Sequence, residues 1–238
     1  MIQRRHIEEL DSAVRVASKA VTVGRLDDAD ALTRFLYERW YLGLSSQQAE
    51  VPASYGTTAG RTWQAWGPRW TPAMNQFGSD LVRLQLSVAP TTALHVLALV
   101  TQRAGGWNHP WRLTSSALDS QLATPEATSL CLPVESLPEL RHEIADLVEE
   151  LRPFLALGVP ALTLRIGRGA ALAQNPGDGF SFGENRCRLV ARAVLGNMRS
   201  HHREQISRTM AEFADAGVDP ERPYLEQATS WDRPWRAA

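Results

Sequence analysis

Lysine is almost missing from this sequence of 238 residues. Of its 25 basic residues only Lys19 is a lysine, and the other 24 are arginine. Lys19 is therefore the one lysine amine that a reaction could use as a base or to form a Schiff base. Because it falls in a predicted amphipathic N-terminal helix, we expect it to be exposed and to have no catalytic role.

Cysteine is scarce as well, with only Cys131 and Cys187. Two thiols far apart in the sequence are typical of reduced, buried cysteines in a cytosolic protein. The sequence contains no Cys/His spacing of a zinc site, no P-loop and no dinucleotide-binding glycine motif, so we expect neither a metal nor a cofactor. The G-x-S-x-G motif of serine hydrolases is also absent.

Charge of one sign and long apolar runs are lacking too. The net charge of −1 gives no indication of a nucleic-acid partner or of an acidic membrane surface. No apolar run reaches the roughly 18 residues of a membrane-spanning helix. The N-terminus carries acidic residues where a secretory signal would be apolar. We therefore expect a cytoplasmic protein, and a hydrophobic content of 44% is enough for a sizeable core.

The periodicity of apolar residues predicts a single α+β domain over residues 1–238. N-terminal helices occupy residues 1–43, an α+β core occupies 79–216, and a strap ends the chain at 217–238. Within the core the predicted strands are 79–88, 111–116, 128–132 and 161–166, and the predicted helices are 91–103, 136–155 and one long helix from 182 to 216. Strand, helix, strand, strand, helix, strand is the ferredoxin-like split βαβ order, with an antiparallel sheet and two helices on one face.

Residues 44–78 show no sustained period and contain Trp63, Trp66 and Trp70. A long irregular segment inside a domain is usually functional or mobile. The tryptophans indicate that part of it packs down, as a lid or as a surface for a partner.

A glycine-rich turn leads into the predicted C-terminal helix. Ser181 and Glu184 have the spacing of a capping box, and Arg186 follows in the first turn. A helix N-terminus close to arginines suits a phosphate or a carboxylate. The same pattern also fits an ordinary capped surface helix.

Arginines recur on the predicted sheet. Arg83 and Arg112 lie on predicted strands, and Arg165 lies near the end of another. Guanidinium forks on a sheet suit a phosphorylated side chain or a peptide carboxylate. Scattered surface arginines that form salt bridges would give the same pattern.

Several short segments together resemble the HopA-type type III effector family. The matching segments are LYERWY at 36–41, LVRL at 81–84, WR at 111–112, GAALAQNP at 169–176, SFGENRC at 181–187 and VDPERPYL at 218–225. That family also includes standalone actinobacterial proteins encoded beside class V lanthipeptide, lipolanthine and thioamitide pathways. The start of the helix at 181–187 is the most specific part of the resemblance.

The resemblance implies a role in modifying a ribosomally made precursor peptide. A kinase-like partner would phosphorylate serine or threonine, and the HopA-like protein would eliminate phosphate to leave dehydroalanine or dehydrobutyrine. A second HopA-like protein is a further expected partner. The candidate residues for binding phosphate or peptide are Tyr37, Arg83, Arg112, Arg165, Ser181, Asn185 and Arg186.

The sequence departs from the family pattern at positions that handle protons. Thr114 stands where a lysine is usual, Gln85 where a tyrosine is usual, and Asn185 where a histidine is common. Pro125 and Glu126 replace an Arg-Asp pair. Three hypotheses follow: a phospho-Ser/Thr lyase that uses other residues, a non-catalytic subunit that binds the peptide or a partner protein, and a scaffold for thioether cyclisation.

Overall fold

A computed structural model of the chain describes residues 2–24, 26–43, 62–76, 80–116, 124, 126–226 and 229–236. Of the segment predicted to be irregular, positions 44–61 and 77–78 lie outside the described residues. The chain divides into two compact units: a helical unit of Met1–Pro52 and Gly179–Thr229, and a sheet unit of Ala53–Asp178 and Ser230–Ala238. The single-domain organisation over the whole chain stays a prediction.

The described elements alternate between helices and strands. The helices are α1 (Ile2–Gly24), α2 (Ala29–Phe35), α3 (Ala93–Gly105), α4 (Arg141–Leu151), α5 (Phe182–Gly196), α6 (His202–Asp215) and α7 (Arg233–Arg236). The strands are β1 (Thr62–Trp66), β2 (Leu81–Leu86), β3 (Arg112–Ser116), β4 (Thr128–Pro133), β5 (Leu164–Gly167) and β6 (Ala170–Gln174). The α+β fold class predicted from the sequence is confirmed.

The helical unit is built around α5, which contacts α1, α2 and α6. The apolar stripe of α1 is fully buried at Ala13, Val14 and Ala17, as its helical spacing predicts. Asp28 caps α2, because its carboxylate accepts a hydrogen bond of 2.8 Å from the N–H of Ala31. No described helix combines the length and the apolar composition that crossing a membrane requires.

The helical unit contains a short π-helix, which is a rare form of helix. Without a break, α2 continues into a π-helix over Leu36–Tyr41, where the sequence predicted an ordinary α-helix. Turns of this kind are uncommon and often lie near functional sites.

The long C-terminal helix predicted over residues 182–216 is wrong as one element. α5 ends at Gly196 and α6 begins at His202. Asn197 ends the first helix with a non-helical backbone, and its side-chain amide donates to the carbonyl of Ala193 at 2.8 Å. A Gly-Asn pair at this point is a typical helix stop.

The six described strands of the sheet unit pair antiparallel in the order β1-β3-β4-β2-β6-β5. The ferredoxin-like order places its fourth strand beside its first, and in this sheet that position belongs to β6. β5 was predicted as that fourth strand, and it lies outside β6. β1, which was not predicted as a strand, extends the other side beside β3.

The opposite faces of the sheet differ, and one of them carries the apolar side chains of β2. Val82, Leu84 and Leu86 are fully buried, and helices α3 and α4 pack against each other. Val148 of α4 lies directly against the backbone of β5, because a Cβ atom built on Gly167 would be 2.4 Å from its Cγ1. This close approach explains the glycine at the end of β5.

Candidate functional site

One face of the sheet is polar, and the strand register places Arg83, Arg112 and Arg165 on it. Arg83 of β2 pairs in register with Cys131 of β4, and Cys131 pairs with Arg112 of β3. Residues directly opposite each other in antiparallel strands share a face. We call Arg83, Cys131 and Arg112 the arginine row. Its two arginine backbones are two strand spacings apart, roughly 10 Å, so two long side chains can reach one small anion.

A second row of polar residues runs beside the arginine row. Gln85 pairs with Ser129, which pairs with Thr114, and we call these three residues the polar row. The hydroxyl oxygens of Thr114 and Ser129 are 3.0 Å apart. Gln85 and Thr114 are two of the positions where the sequence departs from the HopA-type pattern. The lysine and the tyrosine of that pattern would therefore lie next to the arginine row.

The polar face offers little proton chemistry. Its described strand residues include no lysine, histidine, aspartate, glutamate or tyrosine. Cys131, which is 2% exposed, is the one group other than arginine that can ionise among those strand residues. Glutamine, serine and threonine form hydrogen bonds but do not accept a proton at neutral pH.

The guanidinium of Arg83 is incompletely satisfied within the protein. Its Nε is buried and has no hydrogen-bond partner among the described residues. The Oε1 of Gln85, a residue only 1% exposed, has none there either. Unsatisfied buried polar atoms are rare in folded proteins and call for an explanation. A bound anion would give the Nε of Arg83 an acceptor.

Arg112 lines a cavity at the edge of the same face. The cavity has a volume of about 260 Å³ and is lined by Gln64, Trp66, Trp70, Pro72 and Arg112. The guanidinium carbon of Arg112 lies 5.2 Å from the ring centroid of Trp70, a cation–π distance that holds the side chain in place. Trp70 itself is buried against Leu81 and Cys131.

The helix start at Ser181 uses its polar groups internally. The Ser181 hydroxyl accepts from the N–H of Glu184 at 3.2 Å, and the Glu184 carboxylate accepts from the N–H of Ser181 at 3.0 Å. The predicted capping box is therefore confirmed. The Glu184 carboxylate occupies the place of an external anion and balances the positive end of the helix dipole.

Arg186 is completely buried and is held within the helical unit. Its Nε donates to the carbonyl of Pro223 at 2.7 Å, and one Nη forms an ion pair with Glu226 at 3.1 Å. The other Nη donates to the amide oxygen of Asn185. These contacts make Arg186 a structural crosslink between α5 and the segment at 218–226, two segments that carry the family resemblance.

The π-helix also packs on this helix start. The rings of Tyr37 and Tyr41 stack with centroids 5.7 Å apart. A Cβ atom on Gly183 would lie 2.2 Å from Tyr41 Cε1, so only glycine allows this contact. Segments 36–41, 181–187 and 218–225 therefore form one packed structure.

The seven predicted binding residues fall in both units. Arg83, Arg112 and Arg165 belong to the sheet unit, and Tyr37, Ser181, Asn185 and Arg186 belong to the helical unit. Arg165 lies apart from the arginine row, and its guanidinium donates to the carbonyls of Leu157 and Gly167. The binding role of all seven stays a prediction. The described residues contain no group of three His, Cys, Asp or Glu side chains able to hold a metal ion.

Sequence reasoning missed Cys131, Ser129, Trp70 and Gln64 as residues of this face. Cys131 and Ser129 alternate within the predicted strand at 128–132, so that signal was present. Trp70 and Gln64 lie in the segment that was predicted to be irregular. The pairing of β1 with β3 places Gln64 near Arg112, and the Trp70 ring lies against the Arg112 guanidinium.

Comparisons with known proteins agree with the resemblance in the sequence. Two solved effector proteins have the same fold, one from Pseudomonas syringae pv. tomato strain DC3000 and one from pv. syringae strain 61. The first has 13% identity and a TM-score of 0.56 over 92% of this chain and 99% of its own. The second has 12% identity and a TM-score of 0.59 over 94% of this chain and 98% of its own.

A family model covers most of the polar face and the helix start. No curated protein sequence matches the chain, but the model of the HopA1 effector protein family matches residues 68–225. These residues include the arginine row, the polar row and the capping box. The chain belongs to the HopA1 effector protein family.

Proposed function

We propose that the polar face of the sheet unit binds a phosphorylated serine or threonine side chain of a peptide. The observation that carries the proposal is the arginine row, in which Arg83 and Arg112 flank Cys131 on one face. The Nε of Arg83, buried without a partner among the described residues, supports it. Arginine forks bind phosphate through paired, charge-assisted hydrogen bonds.

The resemblance to HopA-like proteins of lanthipeptide-type pathways indicates that the ligand is a ribosomally made precursor peptide. A precursor peptide phosphorylated by a kinase-like partner presents the dianionic group that two arginines suit. In this proposal the chain is a non-catalytic subunit that holds the phosphorylated segment. A partner kinase, or a second HopA-like protein with its own base, would carry out the chemistry.

The polar row favours binding over elimination. Eliminating phosphate requires a base for the α-proton, and the phosphate must leave with the electrons of the Cβ–O bond. Gln85, Ser129 and Thr114 offer no such base. Arg83 and Arg112 can stabilise the departing phosphate, but they remain protonated and cannot take the proton.

Phosphate elimination by this chain is the second candidate, and the position of Cys131 favours it. Its sulfur, as a thiolate, would be the one base among the described strand residues of the face, and it lies between the two arginines. A thiolate would take the α-proton, the Cα–Cβ double bond would form, and phosphate would depart toward the arginines. A role in thioether cyclisation stays a prediction.

Phosphopeptide binding and mass analysis test both candidates. The probe is a synthetic peptide library with one central phosphothreonine and randomised flanks, and the control is the same library with threonine. We expect retention of the phosphorylated library only, with intact masses unchanged after prolonged incubation. Equal retention of both libraries would contradict the proposal. Loss of phosphoric acid with the wild type, but not with Cys131→Ala, would establish the second candidate instead.

A further inference from the structure

The two edges of the sheet differ in how they are protected. β5 at one edge is only four residues long and has a register shift between Arg165 and Gly167. The Arg165 guanidinium donates to the carbonyls of Gly167 and Leu157. Short strands, irregular pairing and charged side chains are the ways in which proteins prevent an edge strand from pairing with another chain.

Among the described residues, β1 at the opposite edge pairs with β3 without a register shift and carries no charged side chain. Its sequence, Thr-Trp-Gln-Ala-Trp, contains no charged residue and no proline. It pairs with β3 on one side, and no strand in the described parts of the chain pairs with its outer side. Trp66 is 61% exposed and Trp63 is 39% exposed. An exposed, apolar edge of this kind is a template for an added strand.

We propose that the outer edge of β1 binds an extended segment of the phosphorylated peptide by strand addition, and that the cavity beside Arg112 accepts one large apolar side chain of that segment. The identity of the partner rests on the proposed function. In strand addition, backbone hydrogen bonds to the edge provide affinity, and pockets for alternate side chains provide specificity.

The cavity is positioned to receive a side chain from such a strand. Gln64 and Trp66 are two residues apart in β1, so both face the polar side of the sheet, and both line the cavity. Side chains of an added strand on the same side would lie next to them. A volume of about 260 Å³ is below the roughly 300–1,000 Å³ of small-molecule pockets, and it suits a single side chain against Trp66 and Trp70.

The distance to the arginine row sets the spacing within the peptide. An added strand would lie three strand spacings from Cys131, because β1 and β3 intervene. At about 4.8 Å per spacing and 3.3 Å per extended residue, four to five residues would connect the phosphorylated residue with the bound segment. A peptide long enough to cover both places should therefore bind more tightly than a short one.

Long and short phosphothreonine libraries test the strand addition. The long probe carries about ten randomised residues on each side and the short probe about two, because four to five residues connect the two places and about five more would pair with β1. We expect the long probe to bind at least about tenfold more tightly and to slow amide hydrogen exchange in β1. Alternate N-methylation of the long flanks, which removes backbone donors, should abolish the gain. Equal affinity of long and short probes, or unchanged exchange in β1, would overturn the inference.

Two tryptophans on opposite faces of β1 provide a matched pair of variants. Trp66→Ala should remove the affinity gain of the long probe, whereas Trp63→Ala should keep it within about twofold, because buried aromatic anchors dominate binding. Equal losses in the two variants would contradict the inference. If phosphorylation matters but probe length does not, the strand addition fails and the proposed function stands. If length matters but phosphorylation does not, the proposed function fails instead.

Discussion

Arg186 of the helical unit and Arg83 of the sheet unit differ in how their own unit uses the guanidinium group. In the helical unit, Arg186 is completely buried and donates to Pro223, Asn185 and Glu226. In the sheet unit, Arg83 has a buried Nε without a partner among the described residues, and Arg112 borders a cavity. An arginine whose donors are used by its own fold crosslinks that fold. An arginine with a donor left over is a candidate for a ligand.

This contrast separates the strongest family motif from the proposed site. The segment SFGENRC at 181–187 is the most specific part of the resemblance, and its polar groups serve a capping box and a crosslink. The arginine row is carried by less specific strand segments. A conspicuous motif can therefore mark the packing of a fold, whereas a ligand site can lie in the less conspicuous part of the chain.

The largest effect is expected when Arg186 is removed. Arg186→Met should lower the free energy of unfolding by about 3–5 kcal/mol, because it leaves a buried carbonyl and Glu226 without their donor. The matched control is Arg192→Met on the same helix, whose side chain is 56% exposed and pairs with Glu212. That variant should cost less than about 1 kcal/mol. Urea unfolding measures both.

The opposite outcome for Arg186→Met would assign this residue to a ligand. A stable Arg186→Met protein that no longer binds phosphothreonine peptides would place the phosphate at the helix start instead.

The next effect concerns affinity rather than stability. Arg83→Gln should weaken binding of phosphothreonine peptides by about 10- to 150-fold, the equivalent of the roughly 1.5–3 kcal/mol of a charged hydrogen bond. Its unfolding free energy should change by less than about 1 kcal/mol, since the part-buried side chain leaves no described acceptor behind. Fluorescence anisotropy with a labelled peptide measures the affinity.

Arg103→Gln is the control for this variant in the same unit. Arg103 of α3 is 57% exposed and pairs with Glu150 of α4. The Arg103→Gln protein should therefore bind the peptide with the affinity of the wild type. Equal weakening by both variants would indicate general electrostatic attraction rather than a site.

A smaller effect is expected at the contact between the helix start and the π-helix. Gly183→Ala should destabilise the protein by about 1–3 kcal/mol, because the added methyl group would overlap the ring of Tyr41. Gly196→Ala on the same helix is the control, since a Cβ atom there meets nothing within 4 Å. It should be neutral or slightly stabilising. Thermal unfolding of the two variants measures the difference in stability. Equal melting temperatures would show that the Tyr41 ring can move away from the added methyl group.

The smallest effect depends on pH. Hydrogen bonds from Arg15 and then from His202 lower the pKa of Asp11 below its ordinary value of 3.8, and the contact with His202 links α1 to α6 at 2.7 Å. A carboxylate with a lowered pKa adds stability above pH 3.8, and this stability is lost as the pH falls through the folded-state value. The pairs are partly exposed and water screens them, so we expect a smaller loss of stability than in Arg186→Met or Gly183→Ala.

Asp11→Asn tests this pH dependence against Asp27→Asn, a change at an exposed residue. Urea unfolding at neutral pH should show a loss for Asp11→Asn alone, and this difference should shrink as the pH falls below 3.8. A difference that stays constant down to strongly acidic pH would show that the loss comes from packing rather than from charge.

Local signals in the sequence predicted the parts of the fold that depend on neighbouring residues. The alternation in β2 placed Arg83 and Gln85 on one face and Val82 and Leu84 on the other, and the capping box at Ser181 followed from spacing. β6 was missed because its Ala-Ala-Leu-Ala-Gln sequence lacks the β-branched and aromatic residues that indicate a strand. Its tight connection to β5 at Gly169, with a φ of 62°, marks a turn but not the pairing that follows.

The remaining features of the site depend on contacts that are distant in the sequence. Arg186 meets Pro223 and Glu226, 37 and 40 residues further along the chain, and no local pattern separates such a buried arginine from one that faces a ligand. The register that brings Arg83, Cys131 and Arg112 together comes from three strands and two connections. The sequence therefore predicted Arg83, Arg112 and Arg186 alike as binding candidates, without showing that Arg186 is used as a crosslink.

The two cysteines of the chain offer the most direct test of where phosphate binds. Cys131 lies within the arginine row, and Cys187 lies in the second turn of α5 directly after Arg186. Protein made with isotope-labelled cysteine gives one NMR signal for each place during a titration with phosphothreonine peptide. If phosphate binds at the arginine row, the Cys131 signal should move and saturate while the Cys187 signal stays in place. Movement of the Cys187 signal alone would contradict binding at that row.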